Sequence, residues 1–183
     1  FWRKEDVEKT YDLIFVGNDG NRDYEFLVDL SKNLPQYDFK FITNYKFNKT
    51  LPSNASHISG SWSNSMIDDN NLRKIYHESD IVVLPLKNTI QPSGQSVTLQ
   101  ALSCGTPVMI TKIDGFWDKD SFKNMENIIF IDKNHIQLWS DKLDILFNDR
   151  VLYDKLVSNG HEMIKGDFNI EYFYKELKKL ILN

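Results

Sequence analysis

The sequence predicts an α/β domain: a doubly wound parallel sheet of about six strands with helices on both faces. Three observations lead there. Short apolar runs alternate with helix-like stretches along the chain. The runs "YDLIFVGN" and "IVVLPL" are nearly continuous in apolar residues, as strands covered on both faces require. No internal repeat or low-complexity linker divides the chain.

The first strand is "YDLIFVGN", residues 11–18. In "DYEFLVDLSKNLP", Phe26, Leu27 and Leu30 lie at helical spacing, and Asn33-Leu34-Pro35 stops the helix. "YDFKFITN" (37–44) alternates at first, with Phe39 and Phe41 on one face, and "ASHISG" (55–60) is a weaker strand entered through Leu51-Pro52. Asp69 is placed to cap a helix that puts Leu72, Ile75 and Tyr76 on one side. "IVVLPL" (81–86) is a buried strand. The stretch "NTIQPSGQSVTLQALSCGTPVMIT" (88–111) follows: a loop with Pro92, Ser93 and Gly94, about ten helical residues, a break at Gly105-Thr106-Pro107, and the strand "PVMIT". "NIIFID" (127–132) is the sixth strand. Helices over residues 136–147, 151–165 and 170–182 close the chain, the last with Ile170, Phe173, Tyr174, Leu177, Leu180 and Ile181 on one stripe.

At 183 residues the chain is one domain or one large lobe, long enough to hide roughly 70% of its unfolded surface. Its 41% apolar and 26% charged content is ordinary for a globular protein. A net charge of −4 gives no reason to expect nucleic acid. The single cysteine, Cys104, forms no internal disulfide, and a reducing compartment fits. No run of about 18 apolar residues is present to cross a membrane. The opening "FWRKEDVEKT" is not a signal peptide and lacks an initiator Met, so the chain reads as a fragment or a processed product.

Sheets of this kind bind ligands at the carboxyl ends of their strands, which singles out four loops: "GNDGNRDY", "NYKFN", "GSWSNS" and "KNTIQPSG". Ser93-Gly94-Gln95-Ser96 opens a helix. The first N–H groups of a helix lack internal partners and, with the dipole, make an anion site; Gly94 lets a ligand approach, and Ser93 and Ser96 add hydroxyls. The plainer reading, that Ser93 caps the helix and Gly94 fits a tight turn, stands beside it. "FVGNDGNRDYEF" is neither a dinucleotide fingerprint nor a Walker loop, since the third glycine and the Gly-Lys-Ser/Thr are missing. Its Arg22 sits where a phosphate could lie; the plainer reading pairs it with Asp23 or Glu25 on the surface. His57, His77, His135 and His161 show no metal-ligand spacing, and the Asp-x-Asp of residues 118–120 follows no apolar strand, so no metal site is assigned. Cys104, with no evident base, is a small packing residue.

Taken together, "FVGNDGNRDYEFLVDL", "LRKIYHESDIVVLPL" and "PSGQSVTLQALSCGTPVMIT", in this order along the chain and within a resemblance spanning roughly residues 12–132, resemble the donor-binding lobe of GT-B glycosyltransferases, nearest to glycosyltransferase family four, the group 1 glycosyl transferases. "DFNIEYFYKELKKLI" is similar to the family's terminal segment. The resemblance implies a Rossmann-like lobe that binds a nucleotide-diphospho-sugar. It implies that Ser93, Gly94, Gln95 and Ser96 meet the diphosphate and that Arg22 neutralises it as the catalytic cation. Gln100 stands where the family's ribose-binding glutamate does, and Asn44, Ser61 and Trp62 stand where the base is held. The sequence departs from the pattern. Both members of the paired glutamates are missing: Gln100 replaces the second, and Pro92, with Gln91 its nearest polar neighbour, replaces the first. Asn18 stands where many members carry an arginine. A glutamine still hydrogen-bonds a hydroxyl but carries no charge.

The expected function is therefore a hexosyltransferase donor lobe. It would use a UDP- or GDP-sugar as substrate, with no cofactor and no metal, and transfer with retention in polysaccharide or glycolipid synthesis. Residues 1–183 form the C-terminal nucleotide-sugar-binding domain, 1–10 being an interdomain linker and 166–183 the terminal helix. The acceptor would be held by an N-terminal domain absent from this chain. A cytoplasmic location is expected, with membrane association only for the full protein, and the isolated lobe would turn over little. The rival readings are another GT-B enzyme, such as a sugar-nucleotide epimerase or a phosphorylase, and a non-catalytic nucleotide-binding module.

Overall fold

A computed structural model of the chain describes residues 1–59 and 67–182. Its elements follow the chain as β1 (Tyr11–Val16), α1 (Tyr24–Asn33), β2 (Phe39–Ile42), β3 (Ala55–Ile58), α2 (Asp69–His77), β4 (Ser79–Leu84), α3 (Gln95–Ser103), β5 (Val108–Thr111), β6 (Ile129–Ile131), α4 (Ile136–Asn148), α5 (Arg150–Asp167) and α6 (Ile170–Leu182). The strands form one six-stranded sheet in the order β3-β2-β1-β4-β5-β6, with every pairing parallel. Leu13 is in register with Phe39 on one side and Ile81 on the other. This is the doubly wound, Rossmann-like arrangement the apolar runs predict.

Consecutive residues of a strand point to opposite faces. Leu13, Ile14 and Phe15 are all fully buried, as are Ile81 to Leu84 and Val108 to Ile110, so both faces of the central sheet are covered. β3, the edge strand, carries only half-buried and exposed residues and reads as the weak strand it is. Helices α1 and α4 pack together through Phe26 and the fully buried Trp139, whose ring centroids are 5.8 Å apart. Helix α5 presses on α3 at Gly160: a Cβ there would meet Leu102 Cδ2 at 2.8 Å and the Asn127 carbonyl oxygen at 3.2 Å. The apolar stripe of α6 is present, yet Ile170, Phe173, Leu180 and Ile181 are exposed and the helix buries none of its side chains.

One cap is corrected. Asp68, not Asp69, is the N-cap of α2, its carboxylate accepting from the Asn71 N–H at 2.8 Å. Asp69 becomes the first helical residue, where a negative charge favours the dipole. Leu72, Ile75 and Tyr76 turn inward as their spacing requires. Residues 1–10 have no regular structure but are tied down. Trp2 packs edge-on to Tyr76 at 5.9 Å, and Lys9 Nζ donates to the carbonyls of His77 and Ser79 at 2.9 and 2.8 Å.

Cys104 closes α3 as its C-cap residue, 3% exposed. Burial pushes its thiol up to about 12, so the inert thiol form prevails at neutral pH. A thiol that holds its proton more tightly when folded stabilises the fold fully below its unfolded value of about 8.5, and this contribution is lost as pH rises towards 12. Iodoacetamide at pH 8 is expected to leave Cys104 unmodified in the native protein and to alkylate it after unfolding in guanidinium. Rapid native labelling, read by intact mass, would contradict the packing role.

Candidate functional site

The strand order reverses direction between β1 and β4, which is where an open parallel sheet leaves a crevice at its carboxyl end. The loops after these two strands are zipped together there. Arg22 and Leu86 form an antiparallel bridge, the Asp23 N–H donates to the Pro85 carbonyl at 2.9 Å, and the Lys87 N–H donates to the Asn21 carbonyl at 2.8 Å. A side-chain brace lies beneath. Asn134 Nδ2 donates to Asp23 Oδ2 at 2.8 Å and to the Leu86 carbonyl at 3.0 Å, while Thr111 Oγ1 donates to Asn134 Oδ1 at 2.6 Å and accepts from the Leu86 N–H at 2.9 Å. Asp23 also caps α1 by accepting from the Phe26 N–H.

This frame fixes Arg22, which is only 3% exposed. Its Nη1 donates to Ser93 Oγ at 3.0 Å and its Nη2 lies 3.4 Å from Asp19 Oδ2. Nε is buried without a partner. Burial weakens the guanidinium's hold on its proton and the Asp19 carboxylate opposes that effect; an arginine stays charged throughout. The plainer reading, a surface pairing with Asp23 or Glu25, does not hold. Asp23 is committed to the α1 cap and Asn134, Glu25 is exposed, and the ion-pair partner is Asp19. Two glycines make room. A Cβ on Gly17 would sit 2.3 Å from Arg22 Nε, and one on Gly94 would sit 3.0 Å from Ile110 Cδ1 and 3.4 Å from Arg22 Nη1.

Gly94 is the N-cap of α3, in the left-handed region at φ 84°, and supplies no side-chain cap. Ser93 is therefore not the helix cap of the plainer reading; its hydroxyl is turned to Arg22 and Asp19. The first α3 turn bond runs from the Thr98 N–H to the Gly94 carbonyl, so the N–H groups ahead of it have no acceptor within the helix.

Two cavities flank this helix start. One, of about 620 Å³, has apolar walls of Ile42, Ile67, Leu72 and Val97 with Asn18, Asp68, Asp69 and Gln100 among its polar groups. The other, of about 520 Å³, lies between Pro92, Gly94, Gln95, Leu99, Trp117 and Phe168. Asp19, Arg22 and Ser96 line both. Gln100 Oε1 accepts from the hydroxyl of fully buried Tyr76 at 3.3 Å, and burial raises that phenol so that it stays a donor. Asn18 Oδ1 accepts from the Asn44 N–H at 2.5 Å and from Thr43 Oγ1 at 3.2 Å.

Of the residues the sequence nominates, Asn18, Arg22, Ser93, Gly94, Gln95, Ser96 and Gln100 are brought together around the two cavities. Asn44 is exposed, bonds Ser59 through its side-chain oxygen, and lines neither. Gln91 is exposed and accepts from Asn21 Nδ2 at 3.4 Å, again outside both. Ser61 and Trp62 lie outside the described residues. Sequence reading missed Asp19 and Asn134. Asp19 carried a signal, an acid three residues before an arginine in a loop; Asn134 carried none, because its role depends on strand order.

A family model for glycosyl transferases group 1 matches residues 64–163, just over half of the chain. Among solved structures, the C-terminal domain of a glycosyl transferase group 1 family protein (LpcC) from Francisella tularensis is similar, with 20% identity, a TM-score of 0.69, and 90% of this chain and 89% of that one covered. Sucrose-phosphate synthase from Thermosynechococcus elongatus is similar over 93% of this chain and 45% of its own, at 18% identity and TM-score 0.74. The Anabaena protein Alr3699/HepE, in complex with UDP, is similar over 94% of this chain and 49% of its own, at 13% identity and TM-score 0.76. The chain thus spans under half the length of the latter two. No curated protein matches the chain.

Gly17→Ala tests the packing that holds Arg22. The added methyl has no space unless the guanidinium moves. The variant is expected to fold with a near-native circular dichroism spectrum while binding of pyrophosphate, followed by calorimetry, falls about tenfold or more. Unchanged affinity would show that the position of Arg22 does not matter to anion binding.

Proposed function

The chain belongs to the glycosyl transferases group 1 family, and from that premise we propose that it is the lobe that binds a nucleotide-diphospho-sugar donor for transfer of a hexose to an acceptor. The observation that carries this reading is the shared wall of the two cavities. A nucleotide sugar has a nucleoside at one end, a sugar at the other and a diphosphate between them. Arg22 and Ser96 sit between an apolar-walled cavity and a second one across the start of α3. The nucleoside fits the larger cavity, with Gln100 offering its amide to the ribose hydroxyls; the sugar extends past Gly94 and Gln95 towards Trp117. Relatives of the same fold support the donor class, since one is described in complex with UDP and another form of it with UDP-glucose.

The chemistry follows from charge. When the glycosidic bond breaks, the nucleotide diphosphate takes the bonding electrons and gains negative charge. The N–H groups at the start of α3 and the Arg22 guanidinium stabilise that charge where it develops, with no reorganisation at the moment of reaction. A protein cation in this position makes a metal unnecessary in the proposed mechanism, and the donor is the only small molecule it needs. Retention of anomeric configuration, an acceptor sugar or glycolipid held by a second lobe, and a cytoplasmic setting in which UDP- or GDP-sugars are available complete the proposal.

Titration with UDP, GDP and ADP by calorimetry tests it. At least one nucleotide is expected to bind, and Arg22→Gln, in a protein that still unfolds cooperatively, is expected to weaken binding about ten- to a hundredfold, the worth of a charge-assisted hydrogen bond pair. No heat from any of the three at about 1 mM would overturn the donor-lobe reading. In the full-length enzyme, nucleotide diphosphate should be released only with an acceptor present.

A further inference from the structure

We propose that Asp19 is the resident anion of the diphosphate site: its carboxylate occupies the Arg22–Ser93 position and is displaced by the donor's phosphates. This rests on the donor-lobe reading above and adds to it a residue that opposes binding. Three contacts place the carboxylate. Arg22 Nη2 lies 3.4 Å from Oδ2, Ser93 Oγ donates at 3.2 Å to Oδ1 with Oδ2 at 3.4 Å, and the Asn21 N–H donates to Oδ1 at 2.9 Å. These are donors of the kind a phosphate oxygen uses: a guanidinium, a hydroxyl and a backbone N–H. Asp19 also lines both cavities, as a diphosphate bridging them must.

Asp19 is not needed to aim Arg22. The guanidinium is already walled by Gly17 and Gly94 and bonded to Ser93, and its residue is 3% exposed. The Asp19 side chain is 46% exposed and at the surface end of the pair. Its backbone is anchored: the Tyr24 hydroxyl donates to the Asp19 carbonyl at 3.1 Å, and the Arg22 N–H donates to it at 3.3 Å. A change of side-chain rotamer alone therefore moves the carboxylate away while the loop stays in place. A diphosphate, with more charge than one carboxylate and access to the α3 N–H groups as well, outcompetes it. The carboxylate keeps the buried guanidinium compensated when no donor is bound. It also sets a threshold that a weakly charged ligand does not overcome.

Asp19→Asn keeps the shape and an acceptor oxygen for Ser93 and Arg22 but removes the competing charge. Calorimetry with UDP is expected to give about fivefold or tighter binding than wild type, the effect of one like charge removed at contact distance in a water-exposed site. Pyrophosphate should follow UDP, and uridine, which has no phosphate, should be unchanged. Equal or weaker UDP binding by a folded Asp19→Asn, with wild type binding UDP and losing it in Arg22→Gln, overturns this proposal and leaves the donor-lobe reading standing. No binding of UDP, GDP or pyrophosphate by either protein overturns both. A crystal structure of the wild-type lobe with UDP provides a variant-free test. Phosphate oxygens on Ser93 Oγ and Arg22 Nη2, with the Asp19 carboxylate swung out, are expected; Asp19 still on Ser93 with the diphosphate elsewhere refutes the displacement.

Discussion

The site depends on a buried charge. A guanidinium taken out of water loses solvation worth several kcal/mol unless its surroundings replace it, and Arg22 is almost wholly enclosed. Much of the local structure answers that demand. Ser93 supplies a hydroxyl, Asp19 a counter-charge, and the two glycines at positions 17 and 94 leave the volume that the side chain fills. Gly94 has a second reason, its left-handed backbone, so the α3 start and the arginine berth are solved by one residue. The unpartnered Nε is the remaining debt of this arrangement, lying against the place where any Gly17 side chain would be.

Topology then makes the berth rigid. The parallel order puts β1 beside β4, so loops some 70 positions apart in sequence meet over one crevice. Their backbones pair directly at Arg22 and Leu86, and the Thr111–Asn134–Asp23 brace ties β5 and the segment after β6 into the same joint. Because Asp23 both caps α1 and receives Asn134, the direction of α1 and the position of Arg22 next to it are fixed together. A cation held this way by elements rather than by a free loop is aimed before any ligand arrives, which is the condition for stabilising charge during bond cleavage.

How far this was legible in the sequence follows from which signals are local. Among the described residues, the six strands and six helices show in apolar periodicity, and the Ser93–Ser96 turn and Arg22 stand out because glycine, serine and arginine have specific backbone and charge properties. What was not legible is competition between neighbours. Asp68 and Asp69 are equally good caps by composition, and only geometry gives the role to Asp68. Arg22 has three acids within reach in sequence; helix capping engages Asp23, and the fold of the loop brings Asp19 rather than Glu25 to the guanidinium. Ser93 reads as a cap until Gly94 takes the N-cap position and frees the hydroxyl. Gln91 and Asn44 fall on the right loops, yet the backbone turns them away from the cavities, a direction no spacing rule encodes.

The glutamine at position 100 gains a physical account from the same charges. Among the described residues, the wall of the larger cavity carries Asp19, Asp68 and Asp69, with Arg22 as the cation. A carboxylate at position 100 would add another acid to the space proposed to hold the anionic donor. It would also lie half-buried on α3 beside the fully buried Tyr76, where desolvation disfavours the charged form. Glutamine keeps what geometry uses. Its Oε1 accepts from the Tyr76 hydroxyl, as a carboxylate would, and its amide N–H₂ is the donor a carboxylate lacks. Beside the acids described on this wall, a neutral group at this position limits repulsion of the proposed diphosphate while retaining a hydrogen bond to offer a hydroxyl. The acidic residues at the α2 start and the neutral residue on α3 are therefore one electrostatic arrangement.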